Sequence, residues 1–238
     1  MNEIQNPDFE NKYLVPEDHP EWDNCLIAPD WTMWFDGPIK PEYKAALPTD
    51  KPEGKRIFAG SQAQQWFNSY NTHRGGVYQR VQVTVGALVS ATVRASVWSA
   101  SGDDPAFSGG PQGNGKYQVR VGIDPKGGTD PNSPDVIWGD GVFPYDVWME
   151  VFSPQVQCNT GHFTLFIEGN CVYPVKNNNC YIDSASLKVI PGGNEPPPVG
   201  DGSFDSIRVR MTTIIDEAQA ILSELDVLEA GALWVIPI

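Results

Sequence analysis

The sequence predicts a mainly β protein, an antiparallel jelly-roll β-sandwich followed by a C-terminal coiled-coil helix. Two observations predict the sandwich. Short segments alternate apolar and polar residues, and Gly- and Pro-rich stretches separate them in a chain of 238 residues with 23 Gly and 21 Pro. The third observation is a repeat of apolar residues in steps of three and four near the C-terminus, which predicts the helix.

Alternation of period two marks the strands, because successive side chains of a strand point to opposite faces of a sheet. For the first five strands, the residues expected on inward faces are, strand by strand, Val81, Val83 and Val85; Val89, Ala91, Val93, Ala95 and Val97; Tyr117, Val119, Val121 and Ile123; Val147, Met149 and Val151; and Phe163, Leu165 and Ile167. The sixth strand is Tyr181–Val189. Gly86-Ala87, between the first two strands, is expected to be a hairpin turn. Residues 1–60 show little periodicity and are expected to be irregular. The sandwich is therefore assigned to residues 1–190.

A Pro- and Gly-rich linker, residues 191–202, follows the sandwich, and its three consecutive prolines predict a semi-rigid spacer. Residues 203–231 then carry the heptad repeat, with Ser203 as the expected N-cap and Gly231 as the C-terminal stop. The apolar seam comprises Phe204, Ile207, Met211, Ile214, Ala218, Ile221, Leu225 and Leu228. Such a narrow seam favours helix-on-helix packing and hence a homo-oligomer, with a trimer favoured. The alternative is an amphipathic helix that folds back on its own domain.

The last seven residues, 232–238, are almost entirely apolar. A segment of this kind is expected to be buried, and we interpret it as an anchoring tail that binds a scaffold.

The charge balance excludes several partners. The formal net charge is −14 at pH 7. Nucleic acid and anionic membranes attract basic surfaces, so neither is expected as a partner, and no stretch is long enough to span a membrane. The three histidines have no metal-ligand spacing, and no nucleophile or phosphate-loop motif is present. We therefore expect the protein not to be an enzyme.

The four cysteines are Cys25, Cys158, Cys171 and Cys180. Cys171 and Cys180 bracket a turn-rich segment and could form a disulfide between neighbouring strands, whereas free buried thiols are the alternative.

Several segments resemble the galactose-binding-like jelly rolls of many carbohydrate-binding modules. Residues 6–10 (NPDFE) resemble their opening strand, and residues 180–187 (CYIDSASL) resemble their closing strand, with Ser184 where the family often has a second Asp. Residues 60–67, 76–81 and 121–131 resemble a subgroup of extracellular bacterial proteins. The resemblance implies a structural Ca²⁺ held by Glu10 and Asp183. The alternative is that these two carboxylates are hydrogen-bonded caps.

Two further groups of residues are candidate binding sites. Aromatic residues crowd two loop regions, and sugars bind proteins by stacking on aromatic rings while polar groups take the hydroxyls. Trp34, Trp66, Tyr70 and His73 are the predicted ligand-binding residues. The alternative is that these rings fill an irregular core. The second group is the acidic loop with Asp124, Asp130 and Asp135, for which turn chemistry is favoured over calcium binding because Asp before Pro or Gly commonly forms Asx turns.

Together these features suggest a structural or adhesive protein on the surface of a bacteriophage virion, such as a decoration, head-fibre or tail-associated protein. The start of the sequence has no secretory signal pattern, as expected for a protein that assembles in the cytoplasm. The alternative is a carbohydrate-binding module of a bacterial cell-surface or secreted assembly, which would place the protein outside the cell.

Overall fold

A computed structural model describes residues 4–17, 19–22, 25–50, 53–102 and 115–191. The predicted coiled-coil helix at 203–231, with its oligomerisation residues, and the tail at 232–238 lie outside the described residues, as does the linker beyond Pro191. No helix in the part of the chain that the structure describes combines the length and the apolar character needed to cross a membrane.

The described residues form β-strands joined by turns and loops. The strands are β1 Thr32–Asp36, β2 Glu42–Ala46, β3 Ala63–Asn68, β4 His73–Gln82, β5 Leu88–Ala100, β6 Tyr117–Asp124, β7 Ile137–Trp138, β8 Met149–Phe152, β9 Val156–Gln157, β10 His162–Cys171 and β11 Asn177–Ile190. A five-stranded sheet has the order β1-β4-β10-β6-β7, and a six-stranded sheet has the order β2-β3-β11-β5-β8, with β9 paired to β5. All of these strand pairs are antiparallel. The predicted mainly β, antiparallel sandwich is confirmed.

The core lies between the two sheets, where the inward side chains of each strand meet. The alternation predicted in β5, β6 and β10 is confirmed, because every predicted inward residue of these strands is buried. Two other strands are shorter than predicted. Val85 is exposed beyond the end of β4, and Val147 is exposed before the start of β8. Met149, the first residue of β8, is also exposed and not inward as predicted.

The predicted hairpin at Gly86-Ala87 is wrong. Strand β4 belongs to the five-stranded sheet and β5 to the six-stranded sheet, so the turn between them carries the chain from one sheet to the other. Residues 1–60 also contain two strands, β1 and β2, that their weak periodicity did not predict. Each is an outermost strand of its sheet, where burial on one face is incomplete and the alternation is weak.

All four cysteines are buried free thiols. Cys171 lies on β10 and Cys180 on β11, in facing sheets. The structure therefore shows free buried thiols, the second alternative, and not a disulfide between neighbouring strands.

Candidate functional site

Two loops at one end of the sandwich present the most exposed tyrosines of the described residues. Residues 69–72 join β3 to β4, and residues 172–176 join β10 to β11. Tyr70 is 63% exposed on the first loop and Tyr173 is 53% exposed on the second. We call these two loops the tip. Single exposed rings are common, but two on adjoining loops form a patch, and such a patch is a candidate binding surface.

Backbone contacts hold the two tip loops together. The Tyr70 amide donates to the Val175 carbonyl at 2.9 Å. The side-chain amide of Asn178 donates both to the Asn71 carbonyl, at 3.2 Å, and to the Tyr173 carbonyl, at 3.0 Å. Since one nitrogen binds a carbonyl from each loop, the two tyrosines lie on neighbouring stretches of backbone.

The support beneath the tip is buried and hydrogen-bonded. Asn178 is fully buried, and its Oδ1 accepts a hydrogen bond from the Ser99 hydroxyl at 2.7 Å. The Gly115 carbonyl accepts from the amides of Val172, at 2.8 Å, and Tyr173, at 2.9 Å. Buried polar groups that find all their partners make a rigid base. Tyr70 itself has a backbone φ of 59°, a conformation that a bulky residue adopts only when its surroundings impose it.

The structure does not place Trp66 and His73 on this surface. Trp66 is fully buried between the sheets, and its ring stacks near Tyr43 with ring centroids 6.3 Å apart. His73 is the first residue of β4, and its Nε2 lies 2.7 Å from the Tyr117 hydroxyl. Both side chains fall on the inward face of their strands, so they fill the core beneath the tip and cannot stack on a ligand.

Trp34 lies neither at the tip nor between the sheets, but on the outer face of the five-stranded sheet. It is 6% exposed, because it packs edge-on against Phe166 in a small apolar cluster completed by Val136. The loop between β6 and β7 covers this face. Of the four predicted ligand-binding residues, only Tyr70 is accessible.

The same outer face carries an ionic cluster that the sequence did not reveal. Glu168 accepts hydrogen bonds from the Nε atoms of Arg74, at 2.8 Å, and Arg120, at 2.7 Å. The Arg74 guanidinium lies 5.3 Å from the centroid of the Trp34 ring, and Arg120 lies 4.3 Å from that of Trp138. The cluster joins three strands, β4, β10 and β6, across the sheet.

The covering loop uses the turn chemistry predicted for its aspartates. Asp124 accepts a hydrogen bond from the Lys126 amide at 2.8 Å, and Asp130 accepts one from the Asn132 amide at 2.9 Å. Both are Asx turns. Asp135 instead pairs with the Lys126 ammonium at 2.7 Å. These contacts shape the loop.

Glu10 and Asp183, the predicted calcium ligands, bind one loop, residues 58–62. Asp183 Oδ2 accepts from the amides of Phe58 and Ala59, at 3.0 Å each. Glu10 Oε1 accepts from the amides of Ser61, at 2.8 Å, and Gln62, at 3.1 Å. These donors are N–H groups, which cannot bind a cation.

Glycine is required at position 60 in this loop, because φ is +70° and a Cβ atom would collide with the Glu10 carboxylate. Partial burial tends to raise the pKa of Glu10, but the hydrogen bonds from Ser61 and Gln62 lower it below its ordinary value. Burial raises the pKa of Asp183 despite its hydrogen bonds. The described residues contain no group of three or more His, Cys, Asp or Glu side chains placed to hold a metal. This donor set fits the capping alternative and does not fit a calcium site.

We expect chelation with EDTA to leave the melting temperature of the sandwich unchanged, because the loop amides already satisfy both carboxylates. Differential scanning calorimetry with EDTA and with added CaCl₂ measures this. As a control, Asp183→Ala should lower the melting temperature, since it leaves the amides of Phe58 and Ala59 without their acceptor. A fall of several degrees in EDTA that Ca²⁺ reverses would restore the calcium prediction.

A Cys–His pair lies in the core but lacks the properties of a nucleophile. The Cys171 sulfur is 3.4 Å from His73 Nδ1. Burial raises the pKa of the Cys171 thiol to about 11, and burial lowers the pKa of His73 to about 3. Both groups are therefore neutral at pH 7, whereas a reactive cysteine is a thiolate in an electropositive, accessible site.

The solved structures that resemble this sandwich have sequences only distantly similar to it. No family model matches the sequence, and no curated protein matches it. Among solved structures, TmCBM61, a carbohydrate-binding module in complex with β-1,4-galactotriose, is 12% identical with a TM-score of 0.49, covering 79% of this chain and 98% of that one. The Stig cyclase Fisc of Fischerella sp. TAU is 12% identical with a TM-score of 0.47, covering 81% and 98%.

A third match is the enzymatically active domain of tailspike protein 4 of bacteriophage CBA120, which is 11% identical with a TM-score of 0.44, covering 79% of this chain and 21% of that one. Carbohydrate-binding modules are thus among the structural neighbours, as the sequence resemblance predicted. Likenesses this distant carry no information on ligand or activity.

Proposed function

We propose that this protein is a non-enzymatic surface protein that binds glycans through the tip. The observation that carries the proposal is the pair of tyrosines, each more than half exposed, on two loops that share one buried amide support. A tyrosine ring offers a flat apolar face to the C–H groups of a sugar, and its hydroxyl can exchange hydrogen bonds with the sugar.

The rigid base of the tip lowers the entropic cost of binding. Because the loops are already ordered by Asn178 and Gly115, a ligand need not order them, and less of its contact energy is lost. Two stacked rings still supply only modest affinity. Binding by one tip is therefore weak, and display of several copies on one particle would strengthen it by avidity.

Multivalent display is the role that we propose for the C-terminal part of the chain. Its heptad repeat, from Ile207 to Leu228, would join copies of the chain, with a trimer favoured, and its apolar tail would attach them to a virion scaffold. This makes the protein a decoration, head-fibre or tail-associated component of a bacteriophage. A module of a bacterial cell-surface assembly could use the same tip, but the repeat and the tail favour the particle.

Replacing either tip tyrosine with alanine is expected to weaken glycan binding about fivefold, because removal of one stacked ring costs about 1 kcal/mol. The Tyr70→Ala/Tyr173→Ala double variant should lose measurable binding. A glycan array with the full chain identifies a ligand, and isothermal titration calorimetry then measures the dissociation constant for each variant.

The matched control is Phe152→Ala, which removes another exposed ring, 58% exposed, on β8. Phe152 pairs with Thr92 of β5, eight residues from Ala100 at the tip end of that strand. This variant should leave affinity unchanged. Melting temperatures of all variants should stay near that of the original chain, since none of the three rings is in the core. Undiminished glycan binding by the double variant would show that the tip is not the binding surface.

A further inference from the structure

A groove runs along the side of the five-stranded sheet at the end far from the tip. Two hollows meet there at Asp30. One, of about 660 Å³, is lined by the loop Leu14–Glu17, by Asp30–Met33 and by Tyr78. The other, of about 420 Å³, is lined by Gln5, Asp30 and Gln79–Gln82. Both volumes lie within the range of small-ligand sites.

The groove exists because β1 is shorter than its neighbour. Strand β1 pairs with β4 only from Arg74 to Tyr78, whereas β4 continues to Gln82 and pairs with β10 over its whole length. On the β1 side, the last four residues of β4 therefore have no strand beside them. Gln5 and Asp30 lie there instead.

A hydrogen bond from the buried Gln79 side chain fixes the backbone of Asp30. Its carbonyl accepts a hydrogen bond from the side-chain amide of Gln79 at 2.9 Å, and the same amide donates to the Gln5 carbonyl at 2.9 Å. Gln79 also accepts from the Gln5 amide at 2.7 Å and is itself buried. Asp30 has a φ of 71°. A strained residue that its surroundings fix in this way is characteristic of functional sites.

The polar side chains in the groove are uncommitted. Within the described ranges, the carboxylate of Asp30 and the carboxamide of Gln82 make no hydrogen bond or ion pair, and both residues are exposed. The Arg80 side chain lies on the other side of β4, with its Nε beside Gly127 and His162. Beside Asp30 lie an aromatic ring, Tyr78, and the half-buried Met33. The groove thus joins a free acceptor, the Asp30 carboxylate, and a free carboxamide, Gln82, to an apolar wall.

This combination indicates a hydroxyl-rich, uncharged ligand. The Asp30 carboxylate can accept from neighbouring hydroxyls, while the Gln82 carboxamide can donate to others, and Tyr78 can contact a ring face. Two carboxylates, Glu17 and Asp30, line the groove, and the Arg80 guanidinium lies on the other side of β4, which disfavours phosphates and acidic sugars. We propose that the groove is a second glycan-binding site and that it takes a neutral oligosaccharide.

The groove and the tip lie at opposite ends of β4. Gln82 follows His73, which lies beside the tip, by nine positions, and at roughly 3.3 Å per position this amounts to about 30 Å. The two sites are therefore separate, and their occupancy can be measured independently. Two sites on one sandwich would also let one polysaccharide chain be held twice.

Two-dimensional ¹H–¹⁵N NMR of the full chain tests the proposal, with β-1,4-galactotriose and xylohexaose as neutral probes and trigalacturonic acid as the acidic probe. The neutral probes should shift the amides of Asp30 and of Arg80–Gln82, both in the original chain and in the double tip variant. Asp30→Gly should raise the dissociation constant measured from these shifts at least fivefold. It removes the carboxylate and relieves the positive φ, so the fold should persist.

Gln82→Ala should weaken groove binding about threefold, whereas its matched control, the exposed Gln155→Ala, should not. Neutral probes that shift only the tip amides would overturn the second site and leave the glycan-binding function standing. No shift at either place would overturn both. Tighter groove binding of trigalacturonic acid than of the neutral probes would overturn the ligand class.

Discussion

Glu168→Gln is expected to lower the free energy of unfolding by about 3 kcal/mol. Glu168 is 1% exposed and accepts from both Arg74 and Arg120. Among the described residues, its neutralisation leaves Arg120 without a counter-charge and Arg74 with only the more exposed Asp36, 3.0 Å away. Breaking a buried ion pair in this way typically costs about 3 to 5 kcal/mol. The lower value is expected because both arginines retain some contact with water. Urea denaturation followed by tryptophan fluorescence measures the change.

Glu150→Gln provides the matched control. Glu150 pairs with Arg94 at 3.5 Å, and both side chains are more than a third exposed to solvent. An exposed pair contributes less than about 1 kcal/mol, so this variant should unfold close to the original midpoint. Equal effects of the two substitutions would mean that the Glu168 cluster does not hold the sheet together.

Acidification is expected to destabilise the sandwich through His73. Burial lowers the pKa of His73 to about 3, whereas its value in the unfolded chain is about 6.5. Between these values the unfolded state binds a proton that the folded state does not. The free energy of unfolding should therefore fall as the pH falls, by about 1.4 kcal/mol per pH unit, or about 3 kcal/mol between pH 6.5 and pH 4.

His73→Gln isolates this contribution, because glutamine does not titrate and can still form a hydrogen bond with the Tyr117 hydroxyl. Asp183 opposes the trend, since burial raises its pKa and its protonation relieves a buried charge as the pH falls. The Asp183 contribution is the same in both proteins, so it cancels when the free energy of unfolding of His73→Gln is subtracted from that of the original chain at each pH. Denaturation midpoints at half-unit pH intervals should diverge below pH 6.5. Parallel pH profiles for the two proteins would contradict a buried, neutral His73.

The interior faces of the strands were predictable because they are a local property of the chain. In β5, Val89 to Val97 alternates with polar residues, and each apolar member is buried. The Asx turns of Asp124 and Asp130 were predictable for the same reason, since each carboxylate bonds to an amide two residues further along.

The pairing of the strands was not predictable in the same way. The turn after β4 has hairpin-like residues, yet it carries the chain to the other sheet, because β4 finds its partners in β1 and β10. Those partners lie outside any local pattern. Pairing depends on which long-range contacts together bury the most apolar surface.

The candidate site shows the same division. Tyr70, Trp66 and His73 lie within eight residues of one another in similar surroundings of the sequence, and only the fold places one at the surface and two in the core. The Glu168 cluster likewise joins residues 94 and 48 positions apart. No spacing rule connects such distant residues.

By itself, the sequence determined the β class, the inward faces of the longest strands and the turns of the acidic loop, since these depend on side chains a few residues apart. Only the tertiary structure decided which aromatic rings reach water, which carboxylates are capped by amides and which charges meet across a sheet. Burial and pairing are set by chain segments that are remote in sequence and become neighbours only when the two sheets close on each other.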